Sequence, residues 1–164
     1  MKDLGLLSYF LDLEISHDPS GYFLSQAKYT SDLLARAALT DCKTTSTPVD
    51  PQTRLTPLDG HQLSDATLYP QLVGSLVYVT VTRPAITYAV HIVSQFMAAL
   101  RSLHYDALIC ILRYLKSIMF RGLHYSAHSS LQLHAFSDAD WAGDPTNCHS
   151  TTGFCSFLGD SLIA

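Results

Sequence analysis

A mixed α+β fold is what the sequence predicts: a β-hairpin and a helix, a three-helix connecting layer, and then the first strands of an incomplete sheet. Three observations carry this reading. Residues Tyr9 to Ile15 alternate apolar and polar in the period of a strand, residues 67–118 repeat their apolar positions at helical spacing, and after Gly122 the period of two returns. The boundaries that follow are 1–47 for the hairpin and first helix, 48–66 for a connector, 67–121 for the helical layer and 122–164 for the final strands.

In the first block Tyr9, Leu11, Leu13 and Ile15 form one side of a strand and Phe10, Asp12 and Glu14 the other. The cluster His17-Asp18-Pro19-Ser20-Gly21 reads as a loop of about five residues, and Tyr22 to Gln26 return as the second strand. Ser25 or Gln26 then opens a helix whose apolar face is Tyr29, Leu33, Leu34 and Ala37, ending near Ala38 to Thr40. Residues 41–66 carry Pro48, Pro51, Pro57 and Gly60 among many Thr, Ser and Asp, the composition of an extended surface connector.

The helical layer begins at Leu68. Pro70 falls in a first turn, where its missing N–H costs no hydrogen bond, and the apolar run continues to Thr82. Val77 to Thr82 is rich in β-branched residues, so a strand there stands as an alternative. Arg83-Pro84 forces a break before a second helix running to Met97, with Ile86, Ala89, Val90, Val93 and Met97 on one face. The third runs from an N-cap at Ser102 to about Ile118, with Leu108, Ile111, Leu112, Leu115 and Ile118 inward and Asp106, Arg113 and Lys116 outward. Strands are expected at Leu123 to Ser126, Leu131 to Ser137 and Thr151 to Leu158, with a turn at Ala127 to Ser130 and a further strand beginning within 161–164.

Composition narrows the function classes. Charged residues make up 15% of the chain, against about 25% in ordinary domains, while hydrophobic residues reach 48%. So few charges suggest one piece of a larger body or a chain with a partner. The net charge of -4 and ten scattered basic residues lack the footprint of a stand-alone nucleic-acid binder. Cys42, Cys110, Cys148 and Cys155 form no Cys-x-x-Cys pair and read as reduced thiols of an intracellular protein. Cys148, His149, Cys155 and His134 fit no usual zinc spacing. No secretory signal is visible, since Asp3 lies in the opening residues and the run Leu4 to Leu11 ends at Asp12, so a cytoplasmic or nuclear place is expected. The uncharged stretches 66–82 and 84–100 fall short of the roughly 20 apolar residues a membrane span needs.

Carboxylates crowd in one place, Leu133-His-Ala-Phe-Ser-Asp-Ala-Asp-Trp-Ala-Gly-Asp144. Leu131, Leu133 and Ala135 alternate with Gln132, His134 and Phe136, the pattern of a half-buried strand that delivers Asp138 and Asp140 at its exit. Residues two apart share a side of the pleat, so both carboxylates can face one hard cation such as Mg²⁺. Equally, Asp138, Asp140 and Asp144 serve as turn residues that cap their own backbone, with Gly143 and Pro145 finishing the loop. Arg113 and Lys116, one helical turn apart, are candidates for phosphate contacts or, as plainly, a solvated face.

Seven stretches occur in a telling order: Met1-Lys-Asp-Leu-Gly5 with Tyr9-Phe-Leu11, Phe23-Leu-Ser-Gln26 with Lys28-Tyr29, Ser46-Thr-Pro48, Leu72-Val-Gly-Ser75, Thr82-Arg-Pro84 with Tyr88-Ala-Val90, Leu112-Arg-Tyr-Leu-Lys116, and Ser137-Asp-Ala-Asp-Trp-Ala-Gly143 with Ser150-Thr. In that order and over essentially its whole length the chain resembles copia-type LTR retrotransposon Pol polyproteins. The resemblance implies the end of a reverse transcriptase, a connecting region and the beginning of a ribonuclease H domain, whose sheet the last strands open. It implies that the hairpin of 7–26 lies at a palm-to-thumb junction and that 67–118 is thumb and connection. It also matches Asp138 to the first metal-binding aspartate of the ribonuclease H site and puts Asp140 in the same motif. Mg²⁺ as cofactor, an RNA-DNA hybrid or template-primer as partner, and other Pol segments as neighbours follow for the intact parent.

The chain departs from that family where catalysis would reside. No adjacent Asp pair occurs, and Glu14, on the N-terminal hairpin, is the sole glutamate. Carboxylates that hold paired metals are what activates the attacking oxygen at phosphorus. The expectation is therefore no catalysis by this chain alone and no productively bound metal, with a non-catalytic nucleic-acid-binding or protein-interaction relic as the alternative. Cys148-His149 stands where the family carries basic residues, which weakens phosphate contact in that loop.

Overall fold

A computed structural model describes residues 5–50, 55–58, 60–63, 67–143 and 148–164. The chain divides into two compact units, one made of Met1–Leu24 with Gly122–Ala164 and the other of Ser25–Arg121. The division cuts differently from the sequence boundaries, because the strand after Gly122 joins the N-terminal hairpin. Pro51, much of the predicted connector, Asp144 and Pro145 lie outside the described residues.

The strand-bearing unit opens with a tighter hairpin than the alternation predicts. β1 (Tyr9–Phe10) and β2 (Leu13–Asp18) pair antiparallel, Tyr9 opposite Glu14 and Phe10 opposite Leu13. The two residues between them, Leu11 and Asp12, both take positive φ, 47° and 61°, as the turns that suit strand twist require. The Tyr9 hydroxyl donates to the Asp12 carboxylate across this turn. With neither Gly nor Pro to mark it, the turn continued the period of two and read as uninterrupted strand. β3 (Gly21–Ser25) follows after Pro19 and Ser20 alone, a shorter loop than predicted. Asp18 shortens it by accepting from the Ser20 N–H at 2.7 Å and the Ser20 hydroxyl at 2.5 Å. β4 (Leu123–Ser126) completes an antiparallel sheet of order β1-β2-β3-β4, with Tyr22 opposite Tyr125 and Leu24 opposite Leu123. Gly21 is needed there, since a Cβ would lie 2.0 Å from the Tyr125 carbonyl oxygen.

A second antiparallel sheet of this unit has the order β5 (Leu133–Ala139), β6 (Thr152–Leu158) and β7 (Ser161–Leu162). β5 starts two residues later than predicted, because the Gln132 carbonyl accepts from Gly159 N–H at 2.7 Å and the Ser129 hydroxyl from Asp160 N–H at 2.7 Å. Those bonds commit the approach to β5 to bracing the β6-β7 turn. The expected half-buried strand is also corrected: all seven residues of β5 are exposed, on both faces.

The helical unit holds the apolar core. α1 (Ala27–Arg36) sends Leu33 and Leu34 inward, α2 (Leu68–Val79) Leu72, Val73, Leu76 and Val79, α3 (Thr87–Ser94) Ala89, Val90 and Val93, and α4 (Ser102–Ser117) Leu108, Ile111, Leu112 and Leu115. Each Leu, Ile or Val of this set contributes about 1.5–3 kcal/mol when fully buried, so this cluster dominates the stability of the unit. α1 ends in a Schellman motif, the Leu39 N–H on the Leu34 carbonyl at 2.9 Å and the Ala38 N–H on the Ala35 carbonyl at 3.0 Å.

The strand alternative at Val77 to Thr82 fails, as helix continues to Val79 and Thr80 satisfies its hydroxyl on the Val77 carbonyl at 2.7 Å. Pro84 opens a 3-10 turn to Ile86 before α3. α3 stops at Ser94, short of Met97, whose side chain is half exposed. The N-cap of α4 is Arg101, because the Ser102 hydroxyl instead accepts from the His61 N–H at 3.3 Å. In this unit Tyr69 ties α2 to α3 through a buried 2.7 Å bond to the Val93 carbonyl, and burial pushes its phenol above the ordinary range.

Candidate functional site

At the exit of β5 the main-chain ladder decides where the carboxylates go. Asp138 is the second-last residue of the strand and faces Gly153 of β6, so no side chain opposes it. Its Oδ1 accepts from the next N–H, that of Ala139, at 2.9 Å. The Asp140 N–H still reaches Thr151 O at 3.1 Å, but beyond that atom the strand is over. Asp140 Oδ1 accepts from the Thr151 N–H at 2.8 Å and the Gly143 N–H at 3.3 Å. Ala142, with φ 50°, donates its N–H to the Ser150 hydroxyl at 3.0 Å, and Trp141 projects 96% exposed from the same loop.

The two aspartates therefore differ. Asp140 pins both arms of the loop to each other, in the manner of a turn residue, and its Oδ1 is committed to two main-chain donors. Asp138 makes the lighter local bond and keeps an open flank. Among the described residues no group of three His, Cys, Asp or Glu side chains is placed to hold a metal ion. That includes the quartet Cys148, His149, Cys155 and His134; in it, Cys155 sits opposite Phe136 in the β5-β6 register. Each of the two carboxylates accepts main-chain N–H through its Oδ1, Asp138 from one donor and Asp140 from two. Asp144 lies outside the described residues.

Arg113 and Lys116 turn to the chain itself. Arg113 Nε donates to the Lys43 carbonyl at 2.6 Å, and Lys116 Nζ donates to the carbonyls of Thr40 and Cys42 at 2.6 and 2.8 Å. Beside them the Thr45 hydroxyl reaches Cys110 O at 3.3 Å. The outer face of α4 is thus a seat for the segment after α1.

Three features escaped sequence reasoning. His104 is fully buried, stacked on Phe96 with ring centroids 3.9 Å apart; its Nε2 lies 2.9 Å from the Thr56 carbonyl, and Nδ1 accepts from Arg101 N–H at 3.3 Å. Together these bonds fix Nε2 as the protonated nitrogen. Its place four residues before Leu108 on the inward stripe was the available signal. Gln26, Thr82 and Arg83 are also buried, a polar cluster inside the helical unit that no periodicity marks. Finally, Phe136 and Phe157 pack edge to face at 6.2 Å and, with His134, Gly159 and Asp160, line an open depression of about 450 Å³ on the second sheet.

Comparison with known proteins gives a consistent set of relatives. The chain is 44% identical over its whole length to an uncharacterized mitochondrial protein of Arabidopsis thaliana, spanning 68% of that protein. It is 44% identical, again over its whole length, to the retrovirus-related Pol polyprotein from transposon RE1 of Arabidopsis thaliana, of which it spans 11%. It is 34% identical to the retrovirus-related Pol polyprotein from transposon TNT 1-94 of Nicotiana tabacum, covering 99% of this chain and 13% of that one. No protein-family model and no solved structure matches. Among the described residues no helix is long and apolar enough to cross a membrane.

Proposed function

Since the chain belongs to the retrovirus-related Pol polyproteins of copia-type transposons, we propose that it is the segment joining the end of the reverse transcriptase to the start of the ribonuclease H domain, and that it is not catalytic on its own. The whole-length identity to Pol polyproteins is the observation that carries the assignment. In this reading β1 to β3 hold the palm-to-thumb strands, α2 to α4 are thumb and connection, and residues 122–164 with β4 to β7 begin the ribonuclease H domain. Asp138 is the first aspartate of that site, with Asp140 shaping the loop beside it. In an intact parent Mg²⁺ would supply charge neutralisation at the phosphate, and Asp138 would be one of its ligands. Among the described residues no three metal-ligating side chains come together, which supports the reading that the chain is not catalytic on its own.

The partner of the intact parent is an RNA-DNA hybrid or template-primer, contacted mainly at phosphates and 2′-hydroxyls. Arg113 and Lys116 would meet such a partner with the donors that their carbonyl contacts leave over, the Arg113 Nη groups and the third Lys116 N–H. A second reading, a non-catalytic interaction protein that docks on other Pol segments, is favoured by the exposed apolar residues Leu133, Phe136 and Phe154 of the second sheet.

The test is an RNA-DNA hybrid cleavage assay in Mg²⁺ with the chain and its Asp138→Asn variant. The expected outcome is no cleavage by either; turnover by the parent chain that vanishes in the variant would overturn the proposal. Any hybrid binding measured alongside should fall steeply with salt if phosphates carry it.

A further inference from the structure

Two peptide bonds connect the helical unit to the strands, Leu24 to Ser25 on entry and Arg121 to Gly122 on exit. Both lie beside a buried polar cluster. Arg83, 3% exposed, donates through Nη2 to the Met119 carbonyl at 2.5 Å and through Nη1 to the Thr82 hydroxyl at 2.6 Å. Thr82 passes the chain on, donating to Gln26 Oε1 at 2.8 Å, and Gln26 Nε2 reaches the Tyr78 carbonyl at 3.5 Å. Gln26 is the second residue of the helical unit and Met119 is close to its last. The guanidinium at the α2-α3 corner therefore bonds, directly or through one hydroxyl, to both ends of the unit.

We propose that Gln26, Thr82, Arg83 and Met119 form a clasp that brings the entry and exit of the helical unit together and thereby sets the pairing of β3 with β4. These strands are separated in sequence by the entire unit, and closing so long a loop costs entropy that grows with its length. A folded unit with joined ends removes that cost before the strands meet. The strand side shows the same convergence: a Cβ on Gly122 would lie 2.0 Å from the Leu24 carbonyl oxygen and 2.8 Å from Phe23 Cζ, so the departing and returning backbones touch where the clasp delivers them. Leu24 opposite Leu123 is the first pair of the ladder beyond that point. An arginine suits the task because its planar fork serves two acceptors at once. Thr suits the middle place, since one hydroxyl accepts from Arg83 and donates to Gln26.

Amide hydrogen exchange of the full chain tests the clasp, in Arg83→Ala and in Thr82→Val, which keeps side-chain size and the Arg83 to Met119 bond. Exchange at Leu123–Ser126 should rise about tenfold or more in both, while amides of Leu108–Leu115 and of β6 stay near the parent rates. Unchanged protection at Leu123–Ser126 overturns the proposal, as does faster exchange there matched in proportion by Leu108–Leu115, which would mean general loss of stability. Should Arg83→Ala fail to fold, Thr82→Val decides by the same two criteria.

Discussion

Ala38 occupies the left-handed position of the Schellman motif that ends α1, with φ 55°. Glycine usually fills that place because a Cβ there crowds the following carbonyl, at a cost of about 1–2 kcal/mol. Ala38→Gly is expected to raise stability by about 0.5–1 kcal/mol, less than that cost because glycine also loosens the unfolded chain. Chemical denaturation monitored by helical circular dichroism measures it. Asp18 carries a pH signature. The Ser20 hydroxyl and then the Ser20 N–H hold its carboxyl below the ordinary value of 3.8. A lowered folded pKa gives stability that is present above 3.8 and lost as pH falls through the still lower folded value. The turn between β2 and β3 should therefore loosen only in that acid window, and carboxyl-carbon titration by NMR should place Asp18 below 3.8. At this scale the sequence was legible in part. Asp18, Pro19, Ser20 and Gly21 announced a turn, whereas Leu11 and Asp12 did not, since nothing in their residue types demands positive φ.

Helices were the most legible elements, and α4 shows why. Leu108, Ile111, Leu112 and Leu115 fall on one stripe, and all four are buried as their spacing requires. The opposite face was harder, because a cation on a helix looks the same in sequence whether it meets water or a carbonyl. Lys116 satisfies the carbonyls of Thr40 and Cys42, and Arg113 that of Lys43, so the start of the connector is fastened along α4. Replacing Lys116 by Met keeps the stem and removes the donor. The expected result is faster tryptic cleavage after Lys43 with a loss of overall stability of about 1–3 kcal/mol, read by limited proteolysis beside a denaturation curve. The strands were less legible than the helices. β5 alternates like a strand with one covered face, yet both faces are open, because alternation reports which residues could be covered and not whether a covering layer is present.

Taken whole, the chain confines its apolar core to the helical unit, while the second sheet leaves Leu133, Phe136 and Phe154 exposed. The charged fraction of 15% is a whole-chain figure and does not record which unit holds the core. Nor was the division into units foreshadowed, because it depends on β4 pairing with β3, a contact across nearly the full helical region that no local pattern records. For the candidate site, the sequence located the strand exit and its aspartates, but their unequal commitments depend on hydrogen bonds to Thr151 and Gly143.

The single tryptophan, Trp141, stands 96% exposed in the loop beyond β5, far in sequence from every residue of the helical core. Its intrinsic fluorescence should already peak at the red wavelength of a solvated indole in the native state and change little as the helices melt. An emission-based thermal scan would look flat even while ellipticity at 222 nm collapses, and a quencher such as acrylamide should reach the indole equally well before and after.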